Sequence, residues 1–341
     1  MIKKSIKVAV GMSGGVDSSL AVALLVEQGY EVVGVFMECW KEPGCRTDKD
    51  RKDALKVALK LKIPFKVMDF KKEYRRKVID WFYKEYRQGR TPNPDVVCNK
   101  EIKFGLFLDW VIKNGFDYMA TGHYARVKNG KLFRGVDEKK DQTYFLGLLN
   151  KKQLEKVMFP IGEMNKSQVR KEAKKRGIGV WDKKDSTGIC FVGHDYSFND
   201  FLKRKIKEHE GEVVDMKGEV IGKHKGYEFY TIGQRHGFVV KQKSANEGAL
   251  YVVLKDRKQN RLVAGSKKDL ERKEFKVKDW HWINKRPKGK LQCRIRHQGR
   301  LIRCEIKDKK VRLNKPEYGV AEGQVCVVYK DEECLGGGII S

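Results

Sequence analysis

The sequence predicts an α/β protein: a doubly wound parallel-sheet domain, then a small β-rich central domain and a C-terminal β-barrel. Three observations carry this expectation. The first 70 residues alternate apolar strand-like runs with runs of helical spacing. The loop GMSGGVDSS (11–19) follows the first such strand and opens the first helix. From about residue 210 the chain changes texture, to short alternating runs separated by Gly, Asn and Lys-Asp turns.

Taken in order, IKVAVGM (6–12) is a short apolar run that ends at the glycine loop. SSLAVALLVEQG (18–29) has helical apolar spacing with a glycine stop, and EVVGVFM (31–37) is β-branched and strand-like. DRKDALKVALKLK (50–62) reads as a second helix and IPFKVMDF (63–70) as a third strand. Residues 71–114 look mainly helical, broken by RTPNPD (90–95), because proline disfavours a continuous helix. FDYMATGHYARV (116–127) supplies a later strand whose end carries Thr121, Gly122 and His123, and 150–178 is a basic helical stretch. YEFYTI, ALYVVL, RLVAG, LQCRIRH, LIRCEI and VCVVYK are the short runs of the β modules. The domain boundaries are placed at 1–203 for the parallel-sheet domain, 204–267 for the central domain and 268–341 for the barrel.

The 341 residues can form two or three cores, and 40% hydrophobic with 35% charged residues describes a globular chain. No apolar run approaches the roughly 18–20 residues that span a bilayer. MIKKSIKVAVGM leads straight into the glycine loop without a cleavage pattern, so it reads as a first strand and the expected location is cytoplasmic, with no membrane partner. Lys and Arg number 74 against 45 Asp and Glu, a formal net charge of +29, which points to a polyanion such as nucleic acid or else to a solvated lysine-rich surface. None of the eight cysteines forms a C-x-x-C pair or a zinc-finger spacing, so no structural zinc is expected. Cys326, in QVCVVY, reads as a buried filler.

The loop is the sharpest local signal. At a strand-to-helix junction, backbone N–H groups and the positive end of the helix make an anion site. Gly14 and Gly15 allow close backbone approach, and Ser13, Ser18 and Ser19 add hydroxyls. The string is neither a Walker A loop nor a dinucleotide fingerprint. SGGVDSS resembles the pyrophosphate loop of the ATP pyrophosphatases (PP-loop enzymes), whose fold is adenine-nucleotide α-hydrolase-like. The resemblance implies that Gly11, Met12, Ser13, Gly14, Gly15, Val16, Asp17 and Ser18 hold the phosphates of ATP, with Met37 and Gly122 against adenine. Asp17 is then the partner for Mg²⁺ bridging the pyrophosphate.

NPDVVCNKEIKF (93–104) sets Cys98 after a proline-rich loop and before an amphipathic helix. A thiol there is either a helix-start filler or a thiolate favoured by the helix dipole and by Lys100 and Lys103. Cys190, in DSTGICFVG (185–193), follows a polar glycine-containing turn. With GMSGGVDSS, TPNPDVVCNKEIKF, ATGHYAR, KDQTYFL, DSTGICF, YTIGQRHG and CLGGGII in this order, the chain resembles the tRNA-specific 2-thiouridylases (MnmA-type) over nearly its full length.

That resemblance implies synthesis of 2-thiouridine in tRNA. ATP adenylates O2 of the wobble uridine of the tRNAs for Lys, Glu and Gln, and a persulfide on Cys190 delivers sulfur to C2, with release of AMP and pyrophosphate. Cys98 is the second catalytic thiol: it frees hydrosulfide or closes a transient Cys98–Cys190 disulfide. The persulfide comes from a sulfur-donor protein, a cysteine desulfurase or relay protein. An iron–sulfur cluster on Asp95, Cys98 and Cys190 is the less favoured alternative. Asn93, Pro94 and Asp95 face the flipped-out base; Asp95 serves proton transfer, or else an Asx turn or helix cap. His123 touches RNA or packs at the strand end. Lys140, Asp141, Gln142, Arg294, Arg296 and Gln324 match tRNA-contacting positions, the two arginines otherwise being a solvated barrel strand. EGQ (322–324) replaces the more familiar PGQ, and Cys39 and Cys45 have no assigned role. The rival readings are another adenylating PP-loop enzyme, acting on RNA or on a small-molecule carbonyl, and a non-catalytic basic RNA-binding protein.

Overall fold

The computed structural model describes residues 5–42, 45–185, 188–189, 191–192, 197–240 and 248–341. In the first domain, β1 (Lys7–Gly11), β2 (Glu31–Glu38), β3 (Phe65–Asp69), β4 (Tyr118–Thr121) and β7 (Val157–Met158) form a five-stranded parallel sheet in the order β3-β2-β1-β4-β7. The predicted doubly wound sheet is therefore present. Chain order reverses between β1 and β4, and Gly11 at the end of β1 stands beside Thr121 at the end of β4. Such a switch point opens a crevice at the carboxyl ends of the strands, where α/β proteins bind ligands.

Helix α1 (Val16–Glu27) is apolar around most of its circumference because it is covered on both sides, by the sheet and by the helix Lys166–Lys175. Helix α2 (Thr47–Lys60) is half-solvated and buries only Ala54, Val57 and Ala58. The stretch 71–87 is helical throughout, with a π-helical turn at Arg75–Ile79. The segment 94–113 likewise passes through a π-helical stretch, Asn99–Phe107. Both helices turn aromatic side chains inward: Tyr74, Phe82, Phe104 and Phe107 are all but inaccessible.

The central domain is a five-stranded sheet of β8 (Gly211–Val214), β9 (Val220–His224), β10 (Val239–Val240), β11 (Tyr251–Asp256) and β12 (Arg261–Gly265), in the order β10-β9-β8-β12-β11. Its β8–β12 pair is parallel, which the long connection between β9 and β11 permits. In the third domain β13 (Arg272–Trp282), β14 (Leu291–Arg294), β15 (Ile302–Lys307), β16 (Lys310–Glu317), β17 (Val325–Lys330) and β18 (Glu333–Ile340) close into an antiparallel barrel, because β13 pairs with both β16 and β18. Gly336, with φ of +140°, makes the closure sterically feasible: a Cβ there would sit 2.2 Å from the His281 carbonyl oxygen.

Several local expectations shift. The run 116–127 is two strands, because the chain turns at Gly122–His123; β5 (Ala125–Lys128) then forms a hairpin with β6 (Lys131–Arg134). That hairpin leaves the parallel sheet and extends the barrel, Leu132 pairing with Cys334 of β18. The basic stretch 150–178 hides the short strand β7 between the helices Lys151–Leu154 and Lys166–Lys175. YEFYTI does not form a strand: Tyr227–Phe229 is a 3-10 turn started at Gly226. Among the described residues no helix is long and apolar enough to cross a membrane.

Candidate active site

The glycine loop sits at the switch point. Gly14 has φ of +72°, and a Cβ on it would lie 2.2 Å from the Asp50 carbonyl oxygen, so α2 closes one side of the loop. Ser18 Oγ accepts from Ser13 N at 3.1 Å, while the Ser18 and Ser19 hydroxyls donate to Gly15 O. These bonds fold the loop back on the first turn of α1 with its amides at the crevice. Gly122 presses on the same turn from β4, an added Cβ falling 2.5 Å from Ser18 N. The Met37 methyl lies against Gly11, 3.1 Å from where its Cβ would be. Met12 and Val16 point inward as core, so any part they take in nucleotide binding is through their backbone.

Around this loop stands a charge network that the sequence reading did not include. Lys166 Nζ donates to both oxygens of Asp17, at 2.7 and 2.8 Å, and reaches Asp185 at 2.8 Å. Tyr124 OH donates to Asp17 at 2.7 Å, and its own ionisation is pushed far up by burial and by the Asp17 charge. Asp185 also receives Lys140 and Arg170. Burial works to raise its carboxyl, but the hydrogen bonds from Lys140 and Lys166 outweigh it and hold the group below the usual range. Lys183 Nζ donates to Gly14 O at 2.9 Å and to Asp50 and Asp53, fastening α2 to the loop. The signal available in sequence was only that the stretch 150–178 is basic and helical and comes shortly before DSTGICF.

The NPD segment forms the other wall. Asn93 Oδ1 accepts from Val96 N at 3.3 Å and Pro94 occupies the first helical position, so the helix starts before Cys98. Cys98 therefore lies a full turn inside the helix, buried, rather than at its free N–H groups as the sequence suggested. Burial pushes the Asp95 carboxyl above the usual aspartate range against the pull of Lys103. Further along, Phe104 packs on His123 and Phe107 approaches Gly11. One helix thus joins the Asn93–Asp95 segment to the glycine loop. His123 is buried between Phe104 and Phe159, with Nδ1 2.7 Å from Thr121 Oγ1; burial keeps its ring neutral.

The remaining candidates divide into two groups. Lys140 and Gln142 join the nucleotide side: Gln142 Oε1 accepts from Tyr124 N at 3.0 Å. Asp141 and Arg294 are brought together, but as a buried ion pair of 2.5 Å, with Asp141 also accepting from Thr143 and from the Gly135 amide. Both are therefore interior groups in this conformation, not a surface presented to RNA. Arg296 is half-exposed and pairs with Glu317. Gln324 Nε2 donates to Thr91 O at 2.8 Å and Thr91 N donates to Glu322 O, so the EGQ loop is clamped to the residues just before Asn93. Cys190, its persulfide role and the Cys98–Cys190 bridge lie outside the described residues.

The donor set fits one mode of metal binding. Asp17 places a single carboxylate beside the loop, its oxygens bonded to Lys166 Nζ and Tyr124 OH; it would hold a Mg²⁺ only with phosphate oxygens and water as the other ligands. Among the described residues no group of three His, Cys, Asp or Glu side chains could hold a metal ion by itself.

Three family models cover the chain in succession: the tRNA methyl transferase HUP domain over residues 6–194, the tRNA methyl transferase PRC-barrel domain over 199–266, and the aminomethyltransferase beta-barrel domain over 272–340. Sheet, loop and models define a PP-loop protein of the HUP class followed by two β domains. Among curated proteins, the tRNA-specific 2-thiouridylase MnmA of Pediococcus pentosaceus is 43% identical over 357 residues, 98% of this chain and 94% of that one. That of Bacillus cytotoxicus is 43% identical over 353 residues, again 98% and 94%. The chain belongs to the tRNA-specific 2-thiouridylase family. Among solved structures, the U34-tRNA thiolase NcsA from Methanococcus maripaludis, with its [4Fe-4S] cluster, matches at a TM-score of 0.38 and 19% identity, over 60% of this chain and 64% of that one.

Proposed function

We propose that the protein makes 2-thiouridine in tRNA by adenylating O2 of the wobble uridine and then replacing that oxygen with sulfur. The observation that carries this reading is the Asn93–Phe107 stretch, which links a desolvated aspartate and a buried thiol to the glycine loop at the sheet switch point. The loop amides and α1 take the ATP phosphates, and Lys166 is placed to follow charge as it develops on the leaving pyrophosphate. Asp17 would hold Mg²⁺, which when bound neutralises phosphate charge and orients the leaving group. Asn93, Pro94 and Asp95 receive the flipped base, and the Asp95 carboxyl, raised above the usual aspartate range by burial, is suited to moving the N3 proton. Uridine O2 attacks the α-phosphorus, giving an adenylated base and pyrophosphate. In one route the outer sulfur of a Cys190 persulfide attacks C2 and displaces AMP, and the Cys98 thiolate then attacks Cys190 Sγ, breaking the S–S bond to leave 2-thiouridine and a Cys98–Cys190 disulfide; in the other, Cys98 attacks Cys190 Sγ first, forming the same disulfide and expelling hydrosulfide, which attacks C2 and displaces AMP. The substrates are the tRNAs for Lys, Glu and Gln, and a persulfide-carrying protein is the sulfur source.

The test supplies purified protein with ATP, Mg²⁺, a persulfide donor and these tRNAs, and analyses digested nucleosides by mass spectrometry. We expect 2-thiouridine that disappears with Cys190→Ser and with Cys98→Ser. Product formed equally by both variants would refute the two-thiol scheme.

A further inference from the structure

A cleft of about 240 Å³ lies where the three domains meet, well apart from the nucleotide loop. Gly89 and Thr91 of the catalytic domain line it, with Lys255 and Arg257 of the central domain and Arg272 and Glu322 of the barrel. Among the described residues, none of the three cations makes an ion pair. Lys255 Nζ donates only to the Tyr230 carbonyl at 2.8 Å, Arg257 Nη1 to Gln88 O at 2.6 Å, and Arg272 Nη1 to the carbonyls of Asp269 and Glu271. Carbonyl partners orient these groups without neutralising them, and the other guanidinium nitrogens of both arginines retain donors. Lys255 forms the floor, where burial depresses its ammonium to about 8, against the pull of Glu228 and Glu322. A desolvated cation held by a carbonyl, with its nearest carboxylates not in ion-pair contact, is an arrangement that an incoming anion relieves.

The fold holds this cleft in register with the base-facing loop. Arg257 lies across Gly89, whose Cβ would come within 2.8 Å of its side chain, and Thr91 stands two residues before Asn93. Tyr227 OH donates to Arg87 O, and the barrel grips Thr91 through Glu322 O and Gln324. An anion seated here is therefore fixed relative to Asn93 and Asp95. Phosphate contacts set register on a nucleic acid rather than read sequence, and a site two residues from the base-facing loop is where register matters.

We propose that this cleft binds a phosphodiester of the tRNA strand, using Lys255, Arg257 and Arg272, and so registers the strand against the base-facing loop. The inference rests on tRNA being the substrate. Glu322 is the opposing charge in the cleft and tempers the affinity.

The test measures binding of an unmodified tRNA transcript for Lys codons to the full-length protein over a range of salt concentrations. The double variant Lys255→Met/Arg272→Gln should weaken binding about tenfold at fixed salt and make the plot of log K against log salt shallower by about one, the signature of one lost phosphate contact. Glu322→Gln should tighten tRNA binding several-fold, a change that misfolding does not produce. Parental affinity and slope in the double variant, with an unaltered melting temperature, would overturn the proposal. So would loss of inorganic phosphate or pyrophosphate binding alone, with the tRNA slope intact, since the anion would then not be RNA. Failure of the thiolation reading looks different: parent protein that binds tRNA with the full slope yet forms no 2-thiouridine.

Discussion

Lys166 Nζ bridges Asp17 and Asp185, at 2.7 and 2.8 Å, and so ties the nucleotide loop to the first residue of the DSTGICF string. Lys166 is mostly covered, so its charge acts with little solvent screening. Lys166→Met should slow AMP formation by two orders of magnitude or more, the usual consequence of removing one preorganised donor, while leaving tRNA affinity within about twofold. Following AMP release from labelled ATP in a single turnover checks this; an unchanged rate would remove Lys166 from the reaction.

If Asp95 moves the N3 proton as proposed, it sets the acid side of the pH profile. Its folded-state value is raised by burial, so the protonated form prevails below that value and the proton-accepting form only above it. The acid limb of kcat/KM should therefore lie above the ordinary aspartate value of about 3.9 and vanish in Asp95→Asn, with a lower rate throughout. The linkage has the matching sign: the stability associated with this carboxyl is present below the unfolded value and lost as pH rises through the folded one. Asp95→Asn should then be as stable as the parent at pH 7, or more so, by thermal melting. An acid limb that persists in this variant belongs to another group.

Gln324 joins the barrel to the segment just before Asn93 by donating to Thr91 O and accepting from Tyr144 OH. Gln324→Ala should lower kcat/KM for tRNA about tenfold, in keeping with roughly 0.5–1.5 kcal/mol for each bond, and leave the KM for ATP unaltered. A change in the ATP term would show that the contact serves the nucleotide instead.

Gly122→Ala probes close packing at the loop, because its Cβ would meet Ser18 N at 2.5 Å. The first turn of α1 would have to move, so the substitution should weaken ATP binding at least tenfold and lower the melting temperature. Calorimetric titration with ATP checks the first and a thermal scan the second.

Arg294→Met separates an internal role from RNA contact. Removing the partner of a wholly buried Asp141 leaves an uncompensated charge, at a cost of about 3–5 kcal/mol. Denaturant unfolding should register that loss while the salt dependence of tRNA binding keeps its slope; a shallower slope would mean that Arg294 meets a phosphate.

What the sequence made legible is what short-range rules govern. The strand–loop–helix unit at Gly11–Ser18 follows from local periodicity and glycine placement, and so does the parallel order of the first strands. Asp95, Cys98 and Gly122 were visible as motif residues. The partners of Asp17 were not, because Lys166 and Asp185 lie far along the chain and nothing local distinguishes them from other charged surface residues. The Asp141–Arg294 pair was hidden for the same reason: only the packing of the 141–143 turn against β14 turns two polar-looking residues into interior ones. Cys98 was assigned to a helix start because the cap one turn earlier, Asn93 with Pro94, was read as loop.

The β5–β6 hairpin departs from the nucleotide site at His123 and ends as an added edge of the barrel, Leu132 beside Cys334. The barrel is therefore no detachable handle. A protein cut between its second and third domains would strand a two-stranded ribbon with an unpaired backbone edge next to the ATP loop. Insertions or swaps in the barrel will be felt first at the β4–β5 turn, so that the barrel and the crevice at the glycine loop share one piece of framework.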